Sequence, residues 1–141
     1  MHQVSDWLMR HLQQLLQRNA FVQHLEIRLA SLAFGKVTMF MPVKPEKHTN
    51  LYGVAHGGAL ASLADVVMGT ACATYGNRIV TMELNINYLK NGQPNSDLHA
   101  TGSVIHAGRQ TMVAEGEIYD DQRVLLAKAR GTFFVTGRFE G

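Results

Sequence analysis

The sequence predicts an α+β fold in which a curved antiparallel sheet of about six strands wraps around one long central helix, with a further helix at the N-terminus. Three observations predict this fold: an amphipathic N-terminal segment, an almost wholly apolar segment of helical length near the middle, and period-two segments on both sides of it. A chain of 141 residues suits one core, so we expect residues 1–141 to form a single domain.

An amphipathic helix is predicted within residues 1–20, and its periodic part covers residues 4–18. Apolar residues recur there at intervals of three and four, with Ser5 as the N-cap. Asn19 is expected to end this helix in a left-handed conformation. The stripe predicted to be buried consists of Val4, Trp7, Leu8, His11, Leu12, Leu15 and Leu16.

Two strands are predicted between this helix and the central one. Residues 24–29 alternate between polar and apolar types, which indicates a half-buried strand. A turn at Gly35 leads into residues 36–41, where Val37, Met39 and Met41 share one face. Residues 42–50 contain two prolines and several polar residues, and they predict a loop.

The central helix is predicted over residues 58–75, with Gly76 ending it. Its residues are apolar on nearly all sides, which predicts that other elements enclose it. The only cysteine of the chain, Cys72, lies in this helix. The chain therefore lacks the cysteines for a disulfide framework or a cysteine-based metal site, in keeping with a reducing compartment.

Four more strands are predicted after the central helix, over residues 79–88, 98–107, 111–119 and 123–135. The short turns between them predict an antiparallel meander. Such a twisted sheet can wrap around a helix. In the first of these strands the residues expected to share one face are Val80, Met82, Leu84, Ile86 and Tyr88.

Composition and charge exclude several classes of protein. The formal net charge of +2 is too small to indicate a nucleic-acid partner. No signal peptide and no run long enough to span a bilayer are recognised, so we expect a cytoplasmic protein without a membrane partner. The seven histidines lack the spacing of a metal motif, and no metal is expected.

The segment from His56 to Asp65 reads H-G-G-A-L-A-S-L-A-D and carries most of the chemical information. Gly57 and Gly58 stand at the predicted start of the central helix, where backbone amides are unpaired and the helix dipole favours negative charge. Glycine allows a ligand atom to approach these amides. Two turns later Asp65 places a carboxylate among apolar residues, which is costly unless it is paired or used. Amide donors and a carboxylate together favour acyl-transfer hydrolysis.

Residues 22–136 resemble the hotdog-fold acyl-CoA thioesterases of the phenylacetate-pathway, PaaI-like type. The pattern H-G-G-x-x-x-x-L-x-D carries the resemblance. Three segments extend it: N-L-Y-G-V-A-H-G-G at residues 50–58, V-T-M-E-L-N-I-N-Y at residues 80–88 and A-G-R-Q-T-M-V-A-E-G-E-I-Y-D at residues 107–120. The resemblance implies hydrolysis of an acyl-CoA to free acid and CoA, with no cofactor.

The resemblance also implies roles for individual residues. Asp65 corresponds to the catalytic carboxylate, and the Gly57 amide polarises the thioester carbonyl. Asn50 and Thr81 correspond to assisting residues, with Thr81 standing where the family often has serine. His56 is a candidate for orienting the loop or binding substrate. The carboxylate acts as a general base on water or as a nucleophile, and the sequence leaves both open.

Further residues are candidates for holding the substrate. Arg109 lies in a tight turn between two strands, where its guanidinium could pair with a phosphate of CoA. Lys90, Arg130 and Gly58 complete the predicted substrate-binding set.

The spacing of the two central candidates bears on assembly. Eight residues separate Gly57 from Asp65, which is about 12 Å along a helix. The resemblance implies a homo-oligomer, a dimer that forms the active site and assembles as a dimer of dimers. The sequence itself leaves dimer against tetramer open.

Alternative interpretations remain at this point. Asp65 could be a structural acid hydrogen-bonded to a backbone group or to Ser62 or Thr70. The paired glycines could serve packing, His56 could be structural and Asn50 could be a turn residue. The whole protein could be an acyl-CoA-binding module without turnover, or a hotdog dehydratase or hydratase. Release of free thiol from acyl-CoA separates these functions.

Overall fold

The computed structural model describes residues 3–140. The first two residues of the predicted 1–20 segment and the last residue of the predicted 1–141 domain lie outside the described residues. The elements in chain order are α1 (Asp6–Arg18), α2 (Ala20–His24), β1 (Arg28–Ala33), β2 (Lys36–Pro42), α3 (Pro45–His48), α4 (Gly57–Ala73), β3 (Asn77–Tyr88), β4 (Asp97–Ala107), β5 (Thr111–Tyr119) and β6 (Leu125–Arg138).

The strands form a six-stranded antiparallel sheet in the order β1-β2-β4-β5-β6-β3, and α4 packs against β2 to β6. The predicted fold class is confirmed. The predicted meander is correct for β4, β5 and β6 but wrong for β3, which pairs with β6 at the sheet edge. Both neighbours of β4 are already taken by β2 and β5, so β3 has no place beside it.

The core forms between α4 and the sheet, as predicted. Val37, Met39 and Met41 are fully buried on one face of β2, and Met68 on α4 lies among them in the same cluster. The helix begins one residue before the predicted start and is followed at Gly76 by a residue with φ +88°, a conformation that favours glycine. Among the helices of residues 3–140, none is both long and apolar enough to span a bilayer.

The N-terminal helix has the predicted N-cap, Ser5, and the predicted last residue, Arg18, but the conformation of its C-cap differs. The Ser5 hydroxyl accepts a hydrogen bond from the Leu8 amide at 3.1 Å. Asn19 is extended, with φ −76° and ψ 110°, so the predicted left-handed cap is wrong. The reason is that its side chain caps a second helix, α2, by accepting from the Val22 amide at 3.2 Å.

The predicted strand over residues 24–29 is also wrong, because the first residues of this segment lie in a helix and in the turn after it. Residues 20–24 form α2, and Glu26 has φ +60°, which a strand does not allow. The strand β1 starts only at Arg28. Likewise the predicted loop at residues 42–50 contains the short helix α3, whose last residue, His48, is buried.

A β-bulge reverses the faces of β3. Thr81 pairs with Phe133 whereas Glu83 pairs with Thr132, so Met82 is the extra residue. The predicted burial of one alternating face is therefore wrong for Val80 and Met82, which are 51% and 60% exposed. Beyond the bulge Leu84 and Ile86 pack against the core as predicted. The bulge leaves Thr81 facing α4.

Candidate active site

The start of α4 presents an unpaired backbone donor. His56 is the N-cap, and its Nδ1 accepts from the Gly58 amide at 3.1 Å. The His56 carbonyl accepts from the amides of Ala59 and Leu60. The Gly57 N–H donates to no acceptor within residues 3–140. A free N–H at the positive end of a helix dipole suits an oxygen that gains negative charge.

The loop before α4 is held in place by side-chain hydrogen bonds. Asn50 Oδ1 accepts from the amides of Tyr52 and Val54 at 2.9 and 3.2 Å, so this residue folds the turn. The His48 carbonyl accepts from the His56 amide at 2.7 Å. The His48 ring accepts from the Lys44 amide and lies 2.8 Å from the Leu25 carbonyl through Nε2. These bonds fix where His56 stands.

Tyr88 holds the first turn of α4, a role that the sequence did not indicate. Its hydroxyl donates to the Gly57 carbonyl at 2.7 Å. A β-carbon at Gly57 would lie 3.3 Å from Cζ of Tyr88, so glycine permits this close approach. Burial raises the pKa of Tyr88, and the phenol remains a protonated donor at neutral pH. The contact joins residues 31 positions apart, and no local pattern reveals it.

Asp65 is half-buried and pairs with Thr81, whose Oγ1 donates to Asp65 Oδ1 at 2.7 Å. The structural interpretation in which Ser62 or Thr70 holds the carboxylate is wrong. Those hydroxyls donate instead to the carbonyls one turn back along α4, at Gly58 and Val66. Oδ2 of Asp65 has no hydrogen-bond partner in the described part of the chain. That oxygen is available to a water molecule.

Gly57 and Asp65 are not brought together within one chain. They lie at opposite ends of two helical turns, about 12 Å apart along α4. A single carbonyl group cannot contact both at hydrogen-bond distance.

The predicted cations are dispersed over the surface. Arg109 is exposed and lines a pocket with Gly108 and Arg138. Arg130 lies on a different patch, where it forms an ion pair with Glu115 at 3.0 Å. Lys90 is exposed after β3.

The remaining predicted contact lies at the helix start. Gly58 is exposed beside His56. Within residues 3–140, no group of three or more His, Cys, Asp or Glu side chains is placed to hold a metal ion.

Comparison with known proteins identifies the family to which this chain belongs. A model described as the thioesterase superfamily matches residues 52–127, and the chain belongs to that superfamily. The acyl-coenzyme A thioesterase PaaI of Escherichia coli is 32% identical over 117 residues, which covers 83% of each chain. The solved structure of E. coli PaaI superposes with a TM-score of 0.90 at 30% identity, covering 96% of this chain and 97% of that one.

Two streptococcal structures are also similar. A Streptococcus mutans UA159 protein solved bound to acetyl-CoA has a TM-score of 0.78 and 34% identity, over 81% of this chain and 91% of that one. The hypothetical thioesterase of Streptococcus pneumoniae TIGR4 has been solved with an aspartate or a threonine changed to alanine; it has a TM-score of 0.76 and 33% identity, over 79% of this chain and at least 91% of that one. Those two positions are sixteen residues apart. The separation between Asp65 and Thr81 is the same.

Proposed function

We propose that this protein hydrolyses an acyl-CoA thioester to a free acid and CoA. The observation that carries the proposal is the pairing of the Asp65 carboxylate with the Thr81 hydroxyl at 2.7 Å, in a fold whose helix also presents the unpaired Gly57 amide. The similarity to an acyl-coenzyme A thioesterase and to a protein bound to acetyl-CoA supports the choice of substrate.

Two groups carry out the reaction: a hydrogen-bond donor and a carboxylate. The Gly57 N–H binds the thioester oxygen and stabilises the negative charge that develops on it. Asp65 either takes a proton from an attacking water or attacks the carbonyl carbon itself. In the first route the water oxygen bonds to the carbonyl carbon, the carbon–sulfur bond breaks and the proton passes from Asp65 to the departing thiolate. In the second route the carbon–sulfur bond breaks, CoA leaves as the thiolate, and water then hydrolyses the resulting anhydride to the free acid and the Asp65 carboxylate, with the released proton taken up by the thiolate. Thr81 holds the carboxylate in position for either route.

The helix-start residues position rather than react. Asn50 shapes the loop, His56 caps the helix, and Gly58 leaves room for the acyl-CoA beside the Gly57 amide. Arg109, with Lys90 and Arg130 as secondary candidates, binds the phosphates of CoA by charge-assisted hydrogen bonds. No metal or redox cofactor takes part in this proposal.

We further propose that the active site forms between two copies of the chain. The twelve-residue strand β3 lies at the sheet edge with Val80 and Met82 exposed, and such an edge is a template for pairing with another strand. Thr81 belongs to this edge strand, so the edge adjoins the Asp65 carboxylate. In the dimer each active site combines the Gly57 amide of one subunit with the Asp65 carboxylate of the other, and two dimers form a tetramer.

We also propose that the protein is cytoplasmic and that residues 1–141 form one domain.

The test replaces Asp65 by asparagine, which keeps the shape of the side chain and removes its charge. Asp65→Asn should lower kcat by about two to four orders of magnitude, the range for a lost general base. Release of thiol from an acyl-CoA panel measures the rate, and circular dichroism checks folding. Burial raises the pKa of Cys72 to about 12, so the folded protein adds little thiol background.

Ser62→Ala provides the matched control, because Ser62 lies on the same helix and bonds only to the backbone. It should retain wild-type kcat. Acyl-CoA binding without thiol release by the wild type would instead identify a binding module. Near-wild-type turnover by folded Asp65→Asn would remove Asp65 from the mechanism.

A further inference from the structure

A cavity of about 420 Å³ adjoins the candidate catalytic pair. We name it the α1 cavity, because α1 forms one wall while α4 and β3 form others. Asp65 and Thr81 line it together with a mostly apolar set of side chains. Its size falls within the range of about 300–1,000 Å³ that small-molecule pockets occupy.

Small residues on α4 create the space. Gly69 lies one turn beyond Asp65, and Ala73 lies one turn beyond Gly69, so all three share a helix face along the cavity. A β-carbon at Gly69 would lie 3.3 Å from Ile79 Cδ1 and 3.5 Å from a ring carbon of Phe133. A larger side chain at Gly69 would therefore press on Ile79 and Phe133 and take up cavity volume.

The opposite wall comes from leucines of α1. Leu12 is buried against Ala73, and the same cluster includes Phe139. These three residues line the part of the cavity remote from Asp65. Leu15 and Leu16 are only half-buried, and both line the cavity. Helix α1 therefore contributes apolar side chains both to the core and to the cavity beside the Asp65 carboxylate.

We infer that the α1 cavity holds the acyl chain of the substrate and that α1 sets the chain length accepted. This inference rests on the proposed function, which places the thioester carbonyl beside Asp65. An apolar chain extending from that point along α4 would exchange water for the surfaces of Leu15, Leu16 and Phe133. The polar pantetheine arm has to leave in the other direction.

The length of the cavity specifies the class of acyl group. Helix α4 rises about 12 Å between Asp65 and Ala73. An extended chain advances about 1.2 Å per bond, since a three-bond residue spans about 3.3–3.6 Å. About ten bonds span 12 Å at that advance, so the cavity fits a medium-chain acyl group of about eight to ten carbons.

The experiment makes one cavity-lining side chain, Leu15, larger in one variant and smaller in another. Leu15→Trp should lower kcat/KM for decanoyl-CoA about tenfold or more and leave butanoyl-CoA within about threefold, because a filled pocket rejects only the longer chain. Leu15→Ala should move the preferred substrate from octanoyl- or decanoyl-CoA toward dodecanoyl-CoA. Leu8→Ala is the matched control: Leu8 is a buried leucine of α1 outside the cavity lining, so its change should affect all chain lengths equally.

Calorimetric binding of decanoate, the free acid product, adds a measurement that needs no turnover. The wild type should bind decanoate about tenfold more tightly than Leu15→Trp does. Equal binding, or one chain-length profile shared by all the folded variants, would overturn the inference. In that case Asp65-dependent thiol release would still support hydrolysis, whereas failure to release thiol from any acyl-CoA, with decanoate binding intact, would contradict the proposed function alone.

Discussion

At the scale of single residues, the contact between Thr81 and Asp65 defines the site. The bulge at Met82 turns Thr81 toward α4, and its hydroxyl then reaches the carboxylate at 2.7 Å. The other hydroxyls on that part of α4 donate to the helix backbone. Thr81 therefore fixes which way the carboxylate points, which is the task of a positioning residue.

Replacing Thr81 by valine keeps its shape and removes this hydrogen bond. We expect Thr81→Val to lower kcat by about tenfold to a hundredfold, since a hydrogen bond to a charged group contributes about 1.5–3 kcal/mol. Thr81→Ser should restore most of the rate because it keeps the hydroxyl. Steady-state thiol release at saturating acyl-CoA measures both, and equal loss in the valine and serine variants would indicate a packing role instead.

Of the three predicted cations, Arg109 and Lys90 form no ion pair within residues 3–140, whereas Arg130 is paired with Glu115. Arg109 also shares a pocket with a second cation, Arg138, so we test it first. Arg109→Ala should raise KM for acyl-CoA about tenfold with kcat unchanged, as expected for lost uniform binding. This increase in KM should disappear with an acyl-pantetheine as substrate, because it lacks the nucleotide. Arg10→Ala, a change at another exposed arginine, is the control. If Arg109→Ala raised KM equally for acyl-CoA and acyl-pantetheine, a phosphate contact would be excluded.

At the scale of elements, the chain between α2 and β1 is tied to α3. Glu26, with its left-handed backbone, accepts hydrogen bonds from Lys44 and Lys47 at 2.7 and 2.8 Å. These bonds, first that from Lys44 and then that from Lys47, lower the pKa of Glu26 to about 2. Helix α3 ends at His48, whose carbonyl holds His56, so the ion pairs and the helix start belong to one chain of contacts.

The lowered pKa predicts how stability depends on pH. A carboxylate with a folded pKa of about 2 and an ordinary value of 4.5 stabilises the fold above pH 4.5, and this contribution is lost as the pH falls toward 2. Glu26→Gln should therefore be less stable than the wild type at pH 7, and the difference should shrink between pH 4.5 and 2. Urea unfolding across this range measures it. Glu46→Gln, on α3 outside the ion pairs of the described residues, should match the wild type throughout.

At the scale of the whole molecule, the two halves of the proposed site lie apart in one chain, and β3 offers an open edge. A two-fold axis through a β3–β3 contact would give both subunits the same interface and would create two equivalent sites. Each site would then combine the Gly57 amide of one copy with the Asp65 carboxylate of the other.

Mixing two inactive variants tests this arrangement. Gly57→Pro removes the amide donor at a helix position where proline is tolerated, after a residue, His56, whose φ −64° and ψ 138° suit a following proline. A heterodimer with Asp65→Asn regains one intact site, so random exchange should restore about a quarter of the wild-type activity. Thiol release before and after exchange measures the recovery.

The control for Gly57→Pro is Gly57→Ala. Alanine places the same β-carbon against Tyr88 but keeps the N–H, so it should retain far more activity than proline. If demonstrated exchange between the folded proline and asparagine variants restores nothing, each site lies within one subunit and the shared arrangement is wrong.

Local patterns in the sequence were enough to predict α1, α4, most of the strands and the chemical identity of the candidate site, although they missed α2 and α3. The amphipathic period of α1, the apolar length of α4 and the alternation in β2 each reflect which residues leave water, and this property repeats with the geometry of the element. The motif from His56 to Asp65 likewise placed paired glycines and an acid on one helix. These features depend on neighbours within a few residues and can be read from the chain alone.

Tertiary structure alone decided where β3 lies and which of its faces meets α4. The edge position of β3 depends on β2 and β5 occupying both sides of β4, and the bulge at Met82 depends on the pairing of β3 with β6. The contacts of Thr81 with Asp65 and of Tyr88 with Gly57 follow from that placement. Contacts between residues far apart in sequence depend on how elements pack, and a local pattern does not contain that information.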